Sequence, residues 1–320
     1  MQYGQWLDIW LEEYVEGKLK PKTVELYRGA LKNYVRPFLA AVRLSELTPH
    51  AFQMLYNRLE SVDNKYPTLK PGTIKRLHGI IHKSLEQAKK LEYIKMNPTD
   101  ACELSRVDKA EPAILDRQGI EIFCKEIRGH KFESFYYVAL YTGLREAELI
   151  GLTWDCVDFE KGTLKVYRQL QLIKGKYEFC SPKNRKSRQF HIAQAVLNRL
   201  KEEKRKQSVW RLKAGGAWSN DEGFVFSDEV GNHLARQTVY FNFKKIVKGM
   251  GMPEMKVHSL RHSYATTSLS TGTDIKTVQM SLGHHSAAFT LDVYGHVTQG
   301  MQKEGADKME AFILSIEKGI

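Results

Sequence analysis

In the segment HSLRHSYATT, His258 and Arg261 lie three residues apart on one helix face, with Leu260 and Tyr264 pointing elsewhere. An imidazole and a guanidinium then converge on one point, and a phosphate would suit it. The guanidinium offers a planar fork of donors matched to phosphate oxygens, and the imidazole can donate, accept or shuttle a proton near neutral pH. A capping histidine beside a surface arginine is the plainer alternative. In TGLREAELIGL the chain turns at Thr142-Gly143, and the following helix sets Arg145 and Glu148 on one face, where they could equally form a salt bridge on a solvated helix. Lys183 stands in a charged turn with Asn184, Arg185, Lys186 and Arg188. Such a turn is usually just wet, yet a lysine on a hairpin tip could reach a minor groove and protonate a leaving oxygen. Gly272 ends the HSLRH helix, Asp274 caps the next one (IKTVQMSL), and Gly283 closes it, which fixes His284 at a helix end. Tyr294, in LDVYGHV, sits on a short helix broken by Gly295, and beside valine and leucine it reads by itself as core.

His258 and His262 are four apart and His284-His285 follow, which raises the question of a metal. The HExxH pattern fails at Ser259, and no acidic ligand follows at a short fixed spacing, so none is expected. The four cysteines, Cys102, Cys124, Cys156 and Cys180, contain no CxxC pair, which argues against a zinc ribbon or a disulfide framework and for a reduced cytosolic chain. No apolar stretch approaches the ~20 residues a bilayer demands, and the opening MQYGQWLDIWLEEY carries acids where a signal peptide would be basic. The formal net charge of +12 points to a polyanionic partner, nucleic acid first, or else to a solvated basic surface.

The elements that must carry these side chains are mostly helical. Trp6, Ile9, Trp10 and Tyr14 recur at helical spacing; Thr23 opens a second periodic stretch, Val24 to Tyr34, that Pro37 stops; Thr48-Pro49 starts a third. A fourth helix after Pro71-Gly72-Thr73 turns Ile74, Leu77, Ile81, Leu85 and Ala88 inward, with Lys75, Arg76, His78, His82 and Lys83 outside that face. That outer face is either a nucleic-acid grip or a solvated surface. After the Asn97-Pro98 break, residues 105–112 (SRVDKAEP) read as a linker. Helices follow near Gln118–Ile127 and Phe135–Tyr141. The period then drops to two at Leu164 and Val166, at Tyr177 and Phe179, and at Phe190 and Ile192, which predicts one three-stranded antiparallel sheet. Helical patterns resume from Ala195. The expected class is therefore mainly α with a small antiparallel β-sheet, in two basic modules of unequal size.

Taken together, these segments resemble the tyrosine recombinase (phage integrase) family over nearly the whole chain, most of all the integrases of conjugative transposons and temperate phages. TGLREAEL looks like the family's first-arginine motif, SPKNRKSR like its catalytic β-hairpin, HSLRH like its His-x-x-Arg box, LGHH like its following histidine, and LDVYGHV like its nucleophile segment. The resemblance implies a helical SAM-like core-binding domain over 1–104, a linker over 105–112, and a catalytic domain over 113–320 with a C-terminal tail helix, the whole closing as a C-shaped clamp around DNA. It implies that Arg145 and Arg261 hold the scissile phosphate, assisted by His258 and His284. Tyr294 would attack phosphorus to leave a 3′-phosphotyrosine, Lys183 would protonate the departing 5′ oxygen, and Glu148 would orient its neighbours. Lys75, Arg76, His82, Lys83, Arg185, Lys186 and Arg188 are the expected DNA contacts.

The same resemblance implies that no metal or other cofactor is needed, because one ester is exchanged for another of similar energy. Two exchanges through a Holliday junction would recombine two duplexes at attachment sites of a mobile element. The implied partners are double-stranded DNA, further copies of the chain (dimer to tetramer) and accessory DNA-bending or excision factors, in the cytoplasm of a bacterium. Met309, Phe312, Ile313 and Ile316 form an apolar stripe that could dock on a neighbouring copy or on its own domain. Many members carry a further arm-binding domain before the core-binding helices; either this type lacks it or the sequence is part of a longer chain. A relaxase resembling type IB topoisomerases and a non-catalytic architectural DNA-binding protein are the alternatives with the same fold.

Overall fold

The computed structural model describes residues 1–61, 68–107, 113–182 and 186–283, together with 309–310 and 313–314. The chain forms two compact units, one of Met1–Ala110 with Ile173–Gly175, the other of Glu111–Leu172 with Lys176–Ile320.

The first unit is helical. Helices α1 (Tyr3–Trp10) and α2 (Pro21–Ala30) each run on into a π-helical turn, Leu11–Val15 and Leu31–Val35, before the short α3 (Arg36–Leu39). Pro37 does not end the second helix as expected: it lies in the first turn of α3, where a missing N–H breaks no helical bond. Ile9, which shares the helical spacing of Trp6 and Trp10, is 40% exposed, and the buried stripe of α1 is Tyr3, Trp6, Leu7 and Trp10. Helix α4 (Pro49–Glu60) starts as its sequence predicts, with the Thr48 hydroxyl accepting from the Ala51 N–H at 3.3 Å. Helix α5 (Pro71–Lys90) begins at Pro71 itself and buries Ile74, Leu77, Ile81, Leu85 and Ala88. The Trp6 indole donates to the Ser84 carbonyl at 3.1 Å, so α1 and α5 are joined by a directed bond as well as by apolar burial.

In the second unit, α6 (Arg117–Glu126) is capped by Asp116, and α7 (Glu133–Thr142) buries Phe135, Tyr136, Val138, Ala139 and Leu140. A helix apolar on so many sides must be covered on several; it packs on α9 (Gln194–Ala214) and α11 (Val257–Ser270). The Tyr136 hydroxyl donates to the Val239 carbonyl of α10 (Arg236–Gly249) at 2.8 Å. Helices α8 (Glu146–Ile150) and α12 (Ile275–Leu282) are short and carry the site described below.

Among the described residues the strands form two sheets rather than one. Strands β1 (Val157–Asp158), β2 (Thr163–Val166) and β5 (Arg188–His191) are antiparallel in the order β1-β2-β5, with Leu164 opposite Phe190. Strands β3 (Gln169–Ile173) and β4 (Lys176–Cys180) pair separately. Their turn holds Lys174 and Gly175 both at positive φ, 47° and 80°, the backbone of a tight two-residue hairpin. Alternation identifies strands but not their partners. Here the Lys-Gly turn pairs β3 with β4, and β5 takes the edge of β2. The expected hairpin across SPKNRKSR is therefore a connection between two sheets, and its residues 183–185 lie outside the described residues.

Candidate active site

Gly143 ends α7 at φ 60°, in the left-handed region. A Cβ there would lie 2.5 Å from Tyr264 Cδ1 and 2.7 Å from Leu282 Cδ2, so α11 and α12 close on this backbone at a distance only glycine permits. Gly143→Ala is expected to lower unfolding free energy by roughly 1–3 kcal/mol from the backbone conformation alone, with the clash adding to it. An unchanged denaturation midpoint would contradict this.

Two residues on, Arg145 occupies the cap position of α8 in an extended conformation, and its N–H donates to Glu148 Oε2 at 2.9 Å. Its side chain reaches the same carboxylate, Nη1 to Oε1 at 2.9 Å. The Glu148 side chain is fully buried, so this is no solvated surface pair. A second guanidinium grips it from β5: Arg188 Nη1 donates to Oε1 at 2.9 Å and Nη2 to Oε2 at 2.6 Å. Burial alone would raise the Glu148 carboxyl, but the hydrogen bonds and charges of Arg188 and Arg145 outweigh it and bring the pKa down to about 2.

Three arginines meet at the C-terminal end of α12. Arg188 Nε donates to the Ser281 carbonyl at 2.8 Å, Arg261 Nη2 to the Leu282 carbonyl at 2.7 Å, and Arg145 Nη2 to the Gly283 carbonyl at 3.2 Å. Helix ends leave such carbonyls without intrahelical donors and with partial negative charge, so cations are favoured there. Arg261, 2% exposed, also donates through Nη1 to the Gly143 carbonyl at 2.7 Å and so joins the end of α7 to the end of α12. The cluster concentrates positive charge on side chains whose planes are already set. An anion with several oxygens, such as a phosphate, is the chemistry it fits.

His258, one turn before Arg261 on α11, is exposed, and its ring meets that of His262 at 5.0 Å, edge to face. Burial, and then the positive charge of Arg261, lower the pKa of His262. Arg188, expected among the DNA contacts, has a side chain only 10% exposed and engaged by Glu148. Its parity in β5, shared with Phe190 and Ile192, is the sequence signal that could have placed it inside. Lys186 is exposed, while Lys183, Arg185, His284 and Tyr294 lie outside the described residues. In the first unit, Lys75 and Arg76 are exposed on α5. Lys83 donates to the Tyr27 hydroxyl at 3.2 Å, and His82 meets Asp100 at 2.9 Å. Of the tail stripe, Met309 and Ile313 are described, both exposed, and Phe312 and Ile316 are not. Among the described residues no group of three His, Cys, Asp or Glu could hold a metal ion, and no helix is long and apolar enough to cross a membrane.

Residues 118–301 match the phage integrase family, and residues 2–60 match its N-terminal SAM-like domain. A tyrosine recombinase described as XerC-like, from Caldanaerobacter subterraneus subsp. tengcongensis, is 31% identical over 315 residues, covering 92% of this chain and 79% of that protein. The fold is similar to that of the Tn1549 transposon integrase solved with a circular intermediate DNA (TM-score 0.79, 20% identity, 95% of this chain and 99% of that one). It is also similar to a lambda integrase dimer bound to a COC′ core site (TM-score 0.66, 17% identity, 92% of this chain and 77% of that one). At these identities the structural likeness is one of fold.

Proposed function

This chain belongs to the phage integrase family, and from that premise we propose that it is a site-specific DNA recombinase acting on the ends of a mobile element. The observation that carries the reading is the convergence of Arg145 and Arg261 on the last carbonyls of α12, two guanidiniums oriented before any substrate arrives. In this reading they bind the non-bridging oxygens of the scissile phosphate and offset the charge that grows in the pentavalent transition state. Donors already oriented cost no reorganisation at that moment. Tyr294 attacks phosphorus, the bond to the 5′ oxygen breaks, Lys183 supplies the proton to that oxygen, and His258 assists removal of the tyrosine proton. His284 adds a donor to the phosphate. The energy of the broken ester is kept in the phosphotyrosine and returned when a new 5′-hydroxyl attacks.

Residues 1–104 serve as the core-binding domain, 105–112 as the linker and 113–320 as the catalytic domain. Exposed Lys75 and Arg76 are the first candidates for backbone phosphates, with Lys186 in the second unit. The protein works in the cytoplasm of a bacterial cell, as a dimer or tetramer on DNA, through a Holliday junction.

The test uses a random-sequence pool of nicked duplexes, in which the fragment beyond the nick diffuses away after cleavage and traps the covalent intermediate. Denaturant-resistant adducts should form in the presence of chelator, and sequencing the captured DNA should return a common site. A pool that yields no adduct would contradict strand cleavage, and one captured only with added divalent metal would contradict the metal-free mechanism.

A further inference from the structure

We propose that Arg188 is a positioning residue of the strand-cleavage site, bound to both oxygens of Glu148 so that the carboxylate holds Arg145 in one orientation, and tied through Ser281 to the end of α12. The inference rests on reading Arg145 as a phosphate-binding group. A carboxylate offers about four lone-pair sites. On Glu148 each oxygen receives one bond from Arg188, and the remaining bonds come from the Arg145 side chain on Oε1 and the Arg145 backbone on Oε2. With every site taken the carboxylate has one rotamer that satisfies all its donors, and the plane of the Arg145 guanidinium follows from it. Without Arg188 each oxygen loses a donor and the carboxylate is free to turn, taking Arg145 Nη1 with it.

Arg188 does not meet substrate itself on this geometry. Both of its Nη groups bond the Glu148 carboxylate and its Nε the Ser281 carbonyl, so its charge is matched by that carboxylate, whereas Arg261 donates to the neutral carbonyls of Gly143 and Leu282. Arg188 also lies flat against Gly283, where a Cβ would come within 3.1 Å of its Cδ and Nη1. The carbonyl that Arg145 Nη2 uses belongs to that same glycine, so Arg188 borders both anchors of the Arg145 side chain. A lysine could hold one carboxylate oxygen but could not span both oxygens and the Ser281 carbonyl.

The readout that separates positioning from stability is the charge of the scissile group. A methylphosphonate at the cleaved position carries no negative charge on its non-bridging substituents, so a fault in guanidinium placement costs little on it, whereas a fault in folding costs the same on either substrate. Full-length Arg188→Gln, Arg188→Lys and Arg145→Ala are compared with the unaltered protein on a nicked duplex selected by the capture experiment, with either a phosphodiester or a methylphosphonate at the scissile position. Arg188→Gln should slow adduct formation on the phosphodiester by ~10- to 100-fold, taking as a guide the range for residues that orient the ligands of a metal site, with duplex affinity unchanged. Arg188→Lys should show a smaller loss, and it carries the same comparison if Arg188→Gln fails to fold. On the methylphosphonate the deficits of all three variants should disappear. Recovery of Arg145→Ala without recovery of the Arg188 variants would overturn the proposal and leave the phosphate-clamp reading standing. If Arg145→Ala itself does not recover, that reading fails and this proposal falls with it.

Discussion

Tyr294→Phe is expected to form no covalent adduct on a nicked duplex that the unaltered protein captures. The substitution removes one oxygen and keeps the ring, so the arginine cluster and the DNA-contacting surfaces are left as they were and duplex affinity should hold. What is lost is the only atom that can bond phosphorus in the proposed route, and removal of a nucleophile costs on the order of 10⁶-fold in enzymes that work through covalent intermediates. Loss of Arg145 or Arg261 removes transition-state charge stabilisation instead, an effect on the order of 10²- to 10³-fold that leaves slow adduct formation measurable. The contrast in kind, absent against slow, is what the nucleophile assignment demands. Peptide mapping of the adduct adds a control, because Tyr264 is half-buried against Gly143, whose carbonyl accepts from Arg261. An adduct persisting in the Phe variant, or mapped to Tyr264, would defeat the assignment.

How much of this could be read from residues alone varies with the length scale of the interaction. Helix ends marked by a capping side chain or a glycine were legible because they are local: Thr48 and Asp274 cap through their own side chains, and Gly283 closes α12 at φ 64°. The meeting of Arg145 with Glu148 followed from a spacing of three, although the backbone bond from Arg145 to the carboxylate, which draws α8 tight around it, did not. Strand pairing was less legible. The three period-two segments are strands, but which edge β5 joins depends on the Lys174-Gly175 turn and on the free side of β2, neither of which a hydrophobic period encodes. Arg188 shows the same gap at the level of one side chain. Its position in a charged run suggested solvent, although its parity with Phe190 and Ile192 points inward, and what decides is Glu148, 40 residues earlier in sequence. A fully buried carboxylate requires compensating donors, and a sequence reveals neither the burial nor where the donors come from.

Glu148 also sets the second large effect, on stability. Its carboxyl is held at about 2 against an ordinary value of 4.5. A folded-state pKa below the unfolded one means the stabilisation is complete above about pH 4.5 and is lost as pH falls towards and through about 2. The separation of those two values corresponds to about 3 kcal/mol. Glu148→Gln keeps the shape and removes the charge, leaving Arg145 and Arg188 without their shared counter-charge, with side chains only 18% and 10% exposed. Breaking a buried pair in this way costs ~3–5 kcal/mol, so at pH 7 the variant should unfold at markedly lower denaturant concentration. The informative quantity is the difference between the two proteins, since other carboxylates titrate in both and cancel. That difference should stay constant from pH 7 to about 5 and then shrink as acid protonates Glu148 in the unaltered protein. A difference that is the same at pH 3 as at pH 7 would mean that the carboxyl titrates in the fold as it does in the unfolded chain, and one that grows toward acid would mean that it is protonated in the fold at pH 7. The two arginines would then be held by the carbonyls of α12 alone, and Glu148 could not be the group that orients Arg145.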